Sequence, residues 1–180
     1  YWLHRLSHAW RPLWRLHLVH HSDLDLDFSV SFRFHPLERV LDIPIVMLRA
    51  VLLGIDLVTI LLFNVAYSFF AFFPHSDIKV PPRLDKFLAW FICTPNVHRI
   101  HHSNWMEETN SNYGDIFTFW DRLFGTYREA SAERHAQIAI GLEYFRQPQD
   151  QTLLASMLQP FTYRGKMSAM HQRAASADTI

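Results

Sequence analysis

Cysteine, glycine and net charge are what this chain has least of. A single cysteine, Cys93, allows no internal disulfide, so nothing in the sequence calls for an oxidising compartment, and its apolar neighbours make Cys93 read as a buried thiol. Seventeen basic side chains against 17 acidic ones leave a formal charge of zero, which removes the bias toward nucleic acid or anionic surfaces that a net charge would give. Nucleic acid is not an expected partner. No signal peptide opens the chain, no low-complexity run interrupts it, and no His-Glu-x-x-His zinc element occurs in it. Against only five glycines stand 12 histidines, 15 phenylalanines and six tryptophans, an aromatic weight suited to lipid interfaces and buried helices. At 180 residues the chain is long enough for one domain with a core and short for two.

Helical spacing of Trp, Leu, Arg and His predicts helix over residues 1 to 22, interrupted near Pro12. A connection follows, and His35-Pro36 marks a new helix start. From Ala50 to Phe73 the chain is almost wholly apolar, with Asp56 its one charge, which as helix is long enough to cross a bilayer core. Basic residues flank both sides, Arg33 and Arg39 before and Lys79, Arg83 and Lys86 after. Both ends therefore belong on one face, which predicts a hairpin over about 43 to 73 turning near Gly54 to Asp56, with arms of roughly 16 residues. A buried core helix of a soluble protein is the competing reading of the same stretch. Beyond it, Leu153, Leu154, Met157 and Leu158 hint at one amphipathic helix, and Ser168 to Ile180 read as a frayed end.

The histidines fall into His4-x-x-x-His8, His17-x-x-His20-His21 and His98-x-x-His101-His102. Residues three or four apart on a helix share a face, so each cluster is expected to converge on a point. At this chain's histidine frequency one chance His-x-x-His-His is about a one-in-twenty event and two are about one in a thousand. Neutral imidazole ligates Fe, Zn, Cu or Ni, and eight of them exceed what one ion can use, so two metal ions are implied. The Glu and Glu-x-x-His pattern of soluble di-iron bundles is missing, which leaves a nearly all-nitrogen set. The second and third clusters can share a site only if the apolar segment between them returns to its starting side. His35, His135 and His171 lie outside the clusters and read as hydrogen-bonded structural histidines.

These residues resemble the fatty acid hydroxylase or sterol desaturase superfamily of integral-membrane, non-haem di-iron enzymes. Its HRxxH element looks like His4-Arg5-Leu6-Ser7-His8, and its two HxxHH elements look like residues 17 to 22 and 98 to 103. Arg33-Phe34-His35-Pro36-Leu37-Glu38 is similar to its RxHPxE element, and Asn112-Tyr113-Gly114 and Trp120 to Thr126 are similar to its NYG and WDRLFGT signatures. The resemblance implies an all-α membrane domain with a cytosol-facing histidine-rich cap, over residues 1 to 128, followed by a polar tail from 129 to 180. Because the chain opens at Tyr1, inside the first of these elements, further membrane helices are expected before it.

By this resemblance the ligands of two Fe(II) ions are His4, His8, His17, His20, His21, His98, His101 and His102, with His75 a ninth. Relatives with a His-x-x-x-His pair at that point have no counterpart here, where position 71 is alanine. His35, Asp121 and Arg122 are expected around the ligands, the last two either orienting an imidazole or forming a salt bridge at a helix end. Asn112 to Gly114 is equally readable as a turn. The implied reaction is hydroxylation or desaturation of a lipid, with O₂ as oxidant and electrons from a small redox protein or reductase. Two other classes stay open, a zinc-dependent membrane hydrolase and a non-enzymatic metal carrier, and the clusters' position beside the apolar segment rather than inside it disfavours the carrier.

Overall fold

The computed structural model describes residues 1–164, and within them the chain is helical without a named strand. Helices α1 (Trp2–Ala9) and α2 (Arg11–His21) meet at Trp10, whose extended backbone breaks the helix. Pro12 lies in the first turn of α2, where a missing N–H costs nothing, so it starts the second helix as much as it interrupts the first. A 3₁₀ turn, Phe28–Phe32, is capped by the Asp27 carboxylate accepting from the Ser29 N–H at 2.7 Å. His35 then caps α3 (Pro36–Leu53), its Nδ1 accepting from the Leu37 N–H at 3.2 Å.

Gly54 ends α3 with φ +62°, a conformation that costs a residue without a side chain little. Asp56 opens α4 (Leu57–His75) by accepting from the Thr59 N–H at 3.0 Å. Helices α3 and α4 thus leave the cap and return to it as a splayed hairpin that turns at residues 54 to 56 without packing arm on arm, and the arms of 18 and 19 residues are longer than expected. They reach about 27 and 29 Å at 1.5 Å per residue. The extra length has a local cause at the α4 end, where Pro74 does not stop the helix. The His75 ring donates from Nδ1 to the Ala71 carbonyl at 2.7 Å and the Ser31 hydroxyl donates to the same oxygen at 3.1 Å, which pins the last turn of the helix beside the proline. Among the described residues α4 is the one helix long and apolar enough to cross a membrane, and only 6% of it is buried, which speaks against a soluble core helix.

The remaining elements form a cap at the hairpin's base. They are α5 (Pro82–Leu88), α6 (Pro95–His101), α7 (Met106–Thr109), α8 (Phe119–Leu123), α9 (Ala132–Gln137), a second 3₁₀ turn (Pro148–Gln151) and α10 (Leu153–Thr162). Thr94 fixes the start of α6 by accepting from the Val97 N–H. Helix α2 packs against α1, α3 and α10, while α6 packs against α4. Three small apolar clusters, around Leu18, Ile100 and Cys93, surround a centre filled by imidazoles rather than by aliphatic side chains. Residues 129 to 164, polar by composition, pack into this cap: Ile138, Ile140, Leu142 and Tyr163 are buried, and Arg134 pairs with Glu108 at 2.6 Å. The end expected to fray, 168 to 180, and His171 with it lie outside the described residues.

Candidate metal centre

Nine histidines gather in two groups, and in each the ligand atoms lie within 4.8 Å of one another. One holds His4, His8, His17, His21 and His101, and the other His20, His75, His98 and His102. Each His-x-x-His-His element is therefore divided between the groups, where convergence on a single point was expected. Helix geometry explains the division: residues i and i+4 project within about 40° of each other, whereas i+3 and i+4 diverge by about 100°. His17 and His21 accordingly face one group and His20 the other, while His98 and His102 face the second and His101 crosses to the first. Helix α1 supplies His4 and His8, and α4 supplies His75.

Hydrogen bonds fix several tautomers. A carbonyl oxygen can only accept, so Nδ1 carries the proton in His4, facing the Tyr113 carbonyl at 2.9 Å, and in His101, facing Ser111 at 2.7 Å. The same holds for His20, facing the Val30 carbonyl at 3.1 Å, and for His75 on Ala71. His17 donates from Nδ1 to the Glu38 carboxylate at 2.8 Å. The Nε2 atoms are left as bare lone pairs, and they point at each other: His4 and His101 at 3.1 Å, His20 and His75 at 3.2 Å. Two acceptors at that distance repel unless a cation lies between them. Both ring nitrogens of His8 and His21, and Nε2 of His17, are buried with no hydrogen-bond partner among the described residues, a cost of roughly 1 to 3 kcal/mol each without a ligand. The donor set fits two metal ions.

Burial pushes the pKa of His8, His20, His21, His98, His101 and His102 well below the ordinary histidine value, and neighbouring imidazoles push the same way. Burial lowers His17 as well, though the bond and the charge of Glu38 oppose it. At neutral pH these rings are neutral, which is the form that binds a metal.

The other expected residues stand farther off. His35 is buried, holds the start of α3 and bonds through Nε2 to the Met157 carbonyl at 3.2 Å, so it reaches the centre only through the helix that carries Glu38. Asp121 accepts from the Tyr113 and Gly114 N–H groups at 2.7 and 2.8 Å and from the Thr126 hydroxyl at 2.7 Å. It shapes the turn whose Tyr113 carbonyl holds His4. Arg122 donates to the Ala89 carbonyl at 3.0 Å and stacks over Trp90 and Tyr127, so it touches neither an imidazole nor Asp121. Asn112 adopts φ +51° and ties Val97 and Arg128 together through its amide, and a Cβ on Gly114 would collide with the Phe117 carbonyl. The Asn-Tyr-Gly element is thus a structural turn that also presents a carbonyl to the centre. His135 is half-buried on α9, and its Nδ1 has no hydrogen-bond partner among the described residues, where one was expected.

Two carboxylates were not singled out from the sequence. Glu38 was legible only as the last letter of an element, and Asp115 follows the Asn-Tyr-Gly turn directly. Asp115 meets Nδ1 of His4 at 3.0 Å and accepts from the Tyr67 hydroxyl of α4 at 2.8 Å. Burial alone would raise its pKa, but His4 and the Tyr67 hydroxyl outweigh burial and hold its carboxyl below the usual carboxylate range.

Among known proteins, the chain is 31% identical over 92% of its length to the ornithine lipid hydroxylase OlsE of Rhizobium tropici, of which it covers 48%. It is 28% identical to the alkylglycerol monooxygenases of Xenopus tropicalis, over 71% of this chain and 27% of the relative, and of Homo sapiens, over 74% and 29%. The chain thus spans about half the length, or less, of these relatives. No solved structure matches it. Residues 1–126 match the fatty acid hydroxylase family, and with the same residues carrying the histidine elements, the chain belongs to that family.

Proposed function

We propose that the protein is the site-bearing part of a membrane-bound di-iron oxygenase that hydroxylates or desaturates a lipid at an unactivated C–H bond. The observation that carries this reading is the convergence of nine histidines, in groups of five and four, with unprotonated Nε2 atoms turned inward. The relatives' names, hydroxylase and monooxygenase, support iron over zinc in this reading, because oxidation of a C–H bond needs a redox-active metal and zinc has no redox chemistry. Two irons held there would activate O₂ with externally supplied electrons, from a small redox protein or a reductase.

The chain's own residues would do the rest. Glu38, Asp115 and the carbonyls of Val30, Ala71, Ser111 and Tyr113 hold the ring protons away from the centre and keep each Nε2 aimed at it. The cap buries the imidazoles and excludes water, which protects a reactive site from side reactions. In this reading the hairpin sits in the bilayer, the histidines face the cytoplasm, residues 1 to 128 carry the chemistry, and residues 129 to 164 cover it. The relatives' names point to lipids that carry a polar head as the substrate class.

The test is metal analysis of detergent-purified protein expressed with iron, followed by assay with O₂, reductant and candidate lipids. About two irons per chain together with lipid- and O₂-dependent turnover are expected. Stoichiometric zinc that iron cannot replace would favour a hydrolase instead.

A further inference from the structure

Helix α10 is built inside out. Its one face buries Ser156, 5% exposed, and Gln159, 1% exposed, while the other leaves Leu153, Leu154 and Phe161 at 79%, 71% and 64% exposed. At 100° per residue the apolar residues 153, 154, 157, 158 and 161 span an arc of about 140°, opposite the buried polar pair. The buried face is held by specific bonds. Arg33 donates to the Ser156 hydroxyl at 3.3 Å, the Gln159 amide donates to the Asp150 carbonyl at 3.2 Å, and Arg15 caps the end of the helix on the Pro160 and Tyr163 carbonyls, both at 3.1 Å. The helix cannot roll to hide its leucines without giving up these bonds. It carries no charged side chain.

The exposed arc continues into the base of the hairpin. The carbonyl of Met157 meets Nε2 of His35, and the Phe161 ring lies 6.1 Å from the His35 ring, at the first turn of α3. There Leu37 is exposed, and on the adjoining 3₁₀ turn Phe28 and Phe32 are exposed as well, with Phe32 5.1 Å from Phe72 of α4. A cleft of about 290 Å³ between the turn and α10 is lined by Phe32, Leu153 and Met157 together with Arg33, Gln151 and Ser156, a mixture suited to the boundary between headgroups and acyl chains. Single exposed leucines on a surface are ordinary, but a continuous apolar belt is not.

We infer that α10 is an interfacial membrane helix: it lies in the bilayer surface beside the hairpin with Leu153, Leu154, Leu158 and Phe161 in the lipid, and so seats the cap over the membrane. This rests on the hairpin being in the bilayer, and the test separates the two. The protein is reconstituted in phosphatidylcholine vesicles with a single cysteine introduced at Leu154, at Leu61 in α4, or at Glu143 as an exposed reference. Each is labelled with an environment-sensitive fluorophore, Cys93 being buried and its thiol pushed up by burial away from reaction.

Emission from position 154 should shift to the blue, with several-fold stronger quenching by nitroxide lipids than by aqueous iodide, and position 143 should show the reverse. Iodide quenching at 154 equal to that at 143, with 61 quenched by lipid, would overturn the inference and leave the hairpin standing. Water exposure at both 61 and 154 would remove the hairpin too. Protection of 154 from both quenchers would mean that protein covers α10, another copy or another segment, and would also overturn it.

Discussion

The two histidine groups differ more in their outer partners than in their ligands. In the group of five, two rings lean on carboxylates, His17 on Glu38 at 2.8 Å and His4 on Asp115 at 3.0 Å. In the group of four the outer partners are neutral: the Val30 and Ala71 carbonyls for His20 and His75, and the Cys93 sulfur, 3.8 Å from Nδ1 of His98. A carboxylate on Nδ1 makes the imidazole a stronger donor and favours positive charge at the other nitrogen. With one more ligand and two more negative charges, the group of five should hold its metal tighter. The group of four, with fewer protein ligands, leaves more room for an exchangeable one.

The largest expected effect is loss of a ligand. His101→Ala should empty the group of five and His98→Ala the group of four, each abolishing turnover and each lowering metal content to about one ion per chain if the groups bind independently, as counted by mass spectrometry of metals. Full metal content with full turnover in either variant would sink the assignment.

Acid should come next. In the metal-free protein seven rings outside the hairpin have pKa values lowered by burial. Below the ordinary histidine value of about 6.5 the unfolded chain binds protons that the folded one refuses, so stability is present above that pH and is lost as pH falls toward the folded values. At pH 5.5 each ring that stays neutral costs about 1.4 kcal/mol, which thermal melts at pH 7.5 and 5.5 would read as a large drop. His17, lowered less because Glu38 opposes burial, should be the first of the seven to protonate in a nitrogen-15 titration. If His20 or His102 titrated first, the electrostatic contrast between the groups would be reversed.

How much of this was open to a reader of the sequence follows from the distances involved. The candidate ligands declare themselves because a helix brings His17 and His21, or His98 and His102, together within one turn, and His75 stands out at the end of an apolar run. The division between groups is a matter of tens of degrees of helix rotation, which a spacing pattern does not carry. Glu38 and Asp115 act on rings 21 and 111 positions away, and no local pattern ties a carboxylate to a partner that far off. In α10 the leucines were legible as an amphipathic helix, but which face would be buried was not, because that is set by Arg33 and Arg15 reaching in from elements far away in sequence.

Removing one carboxylate should then tune rather than destroy. Glu38→Gln keeps the shape and removes the charge on His17, and a loss of about 10- to 100-fold in metal affinity is expected at one site only, seen as a single shifted phase in competition with a chelator. Equal weakening of both phases would break the comparison and make the centre one coupled unit.

Asp115→Asn should be the mildest of the series. The ring of His4 has a second acceptor, the Tyr113 carbonyl at 2.9 Å, so the proton on Nδ1 keeps a partner when the carboxylate is neutralised. The turn that presents this carbonyl is fixed independently by Asp121. What is lost is the negative charge and part of the link to Tyr67, whose hydroxyl can still donate to the amide oxygen. The same chelator competition should therefore show a shift in the Glu38→Gln phase, in the same direction and smaller, with the other phase unmoved. A shift as large as that of Glu38→Gln would mean that charge alone sets the affinity, and that the backbone carbonyl contributes nothing to holding His4.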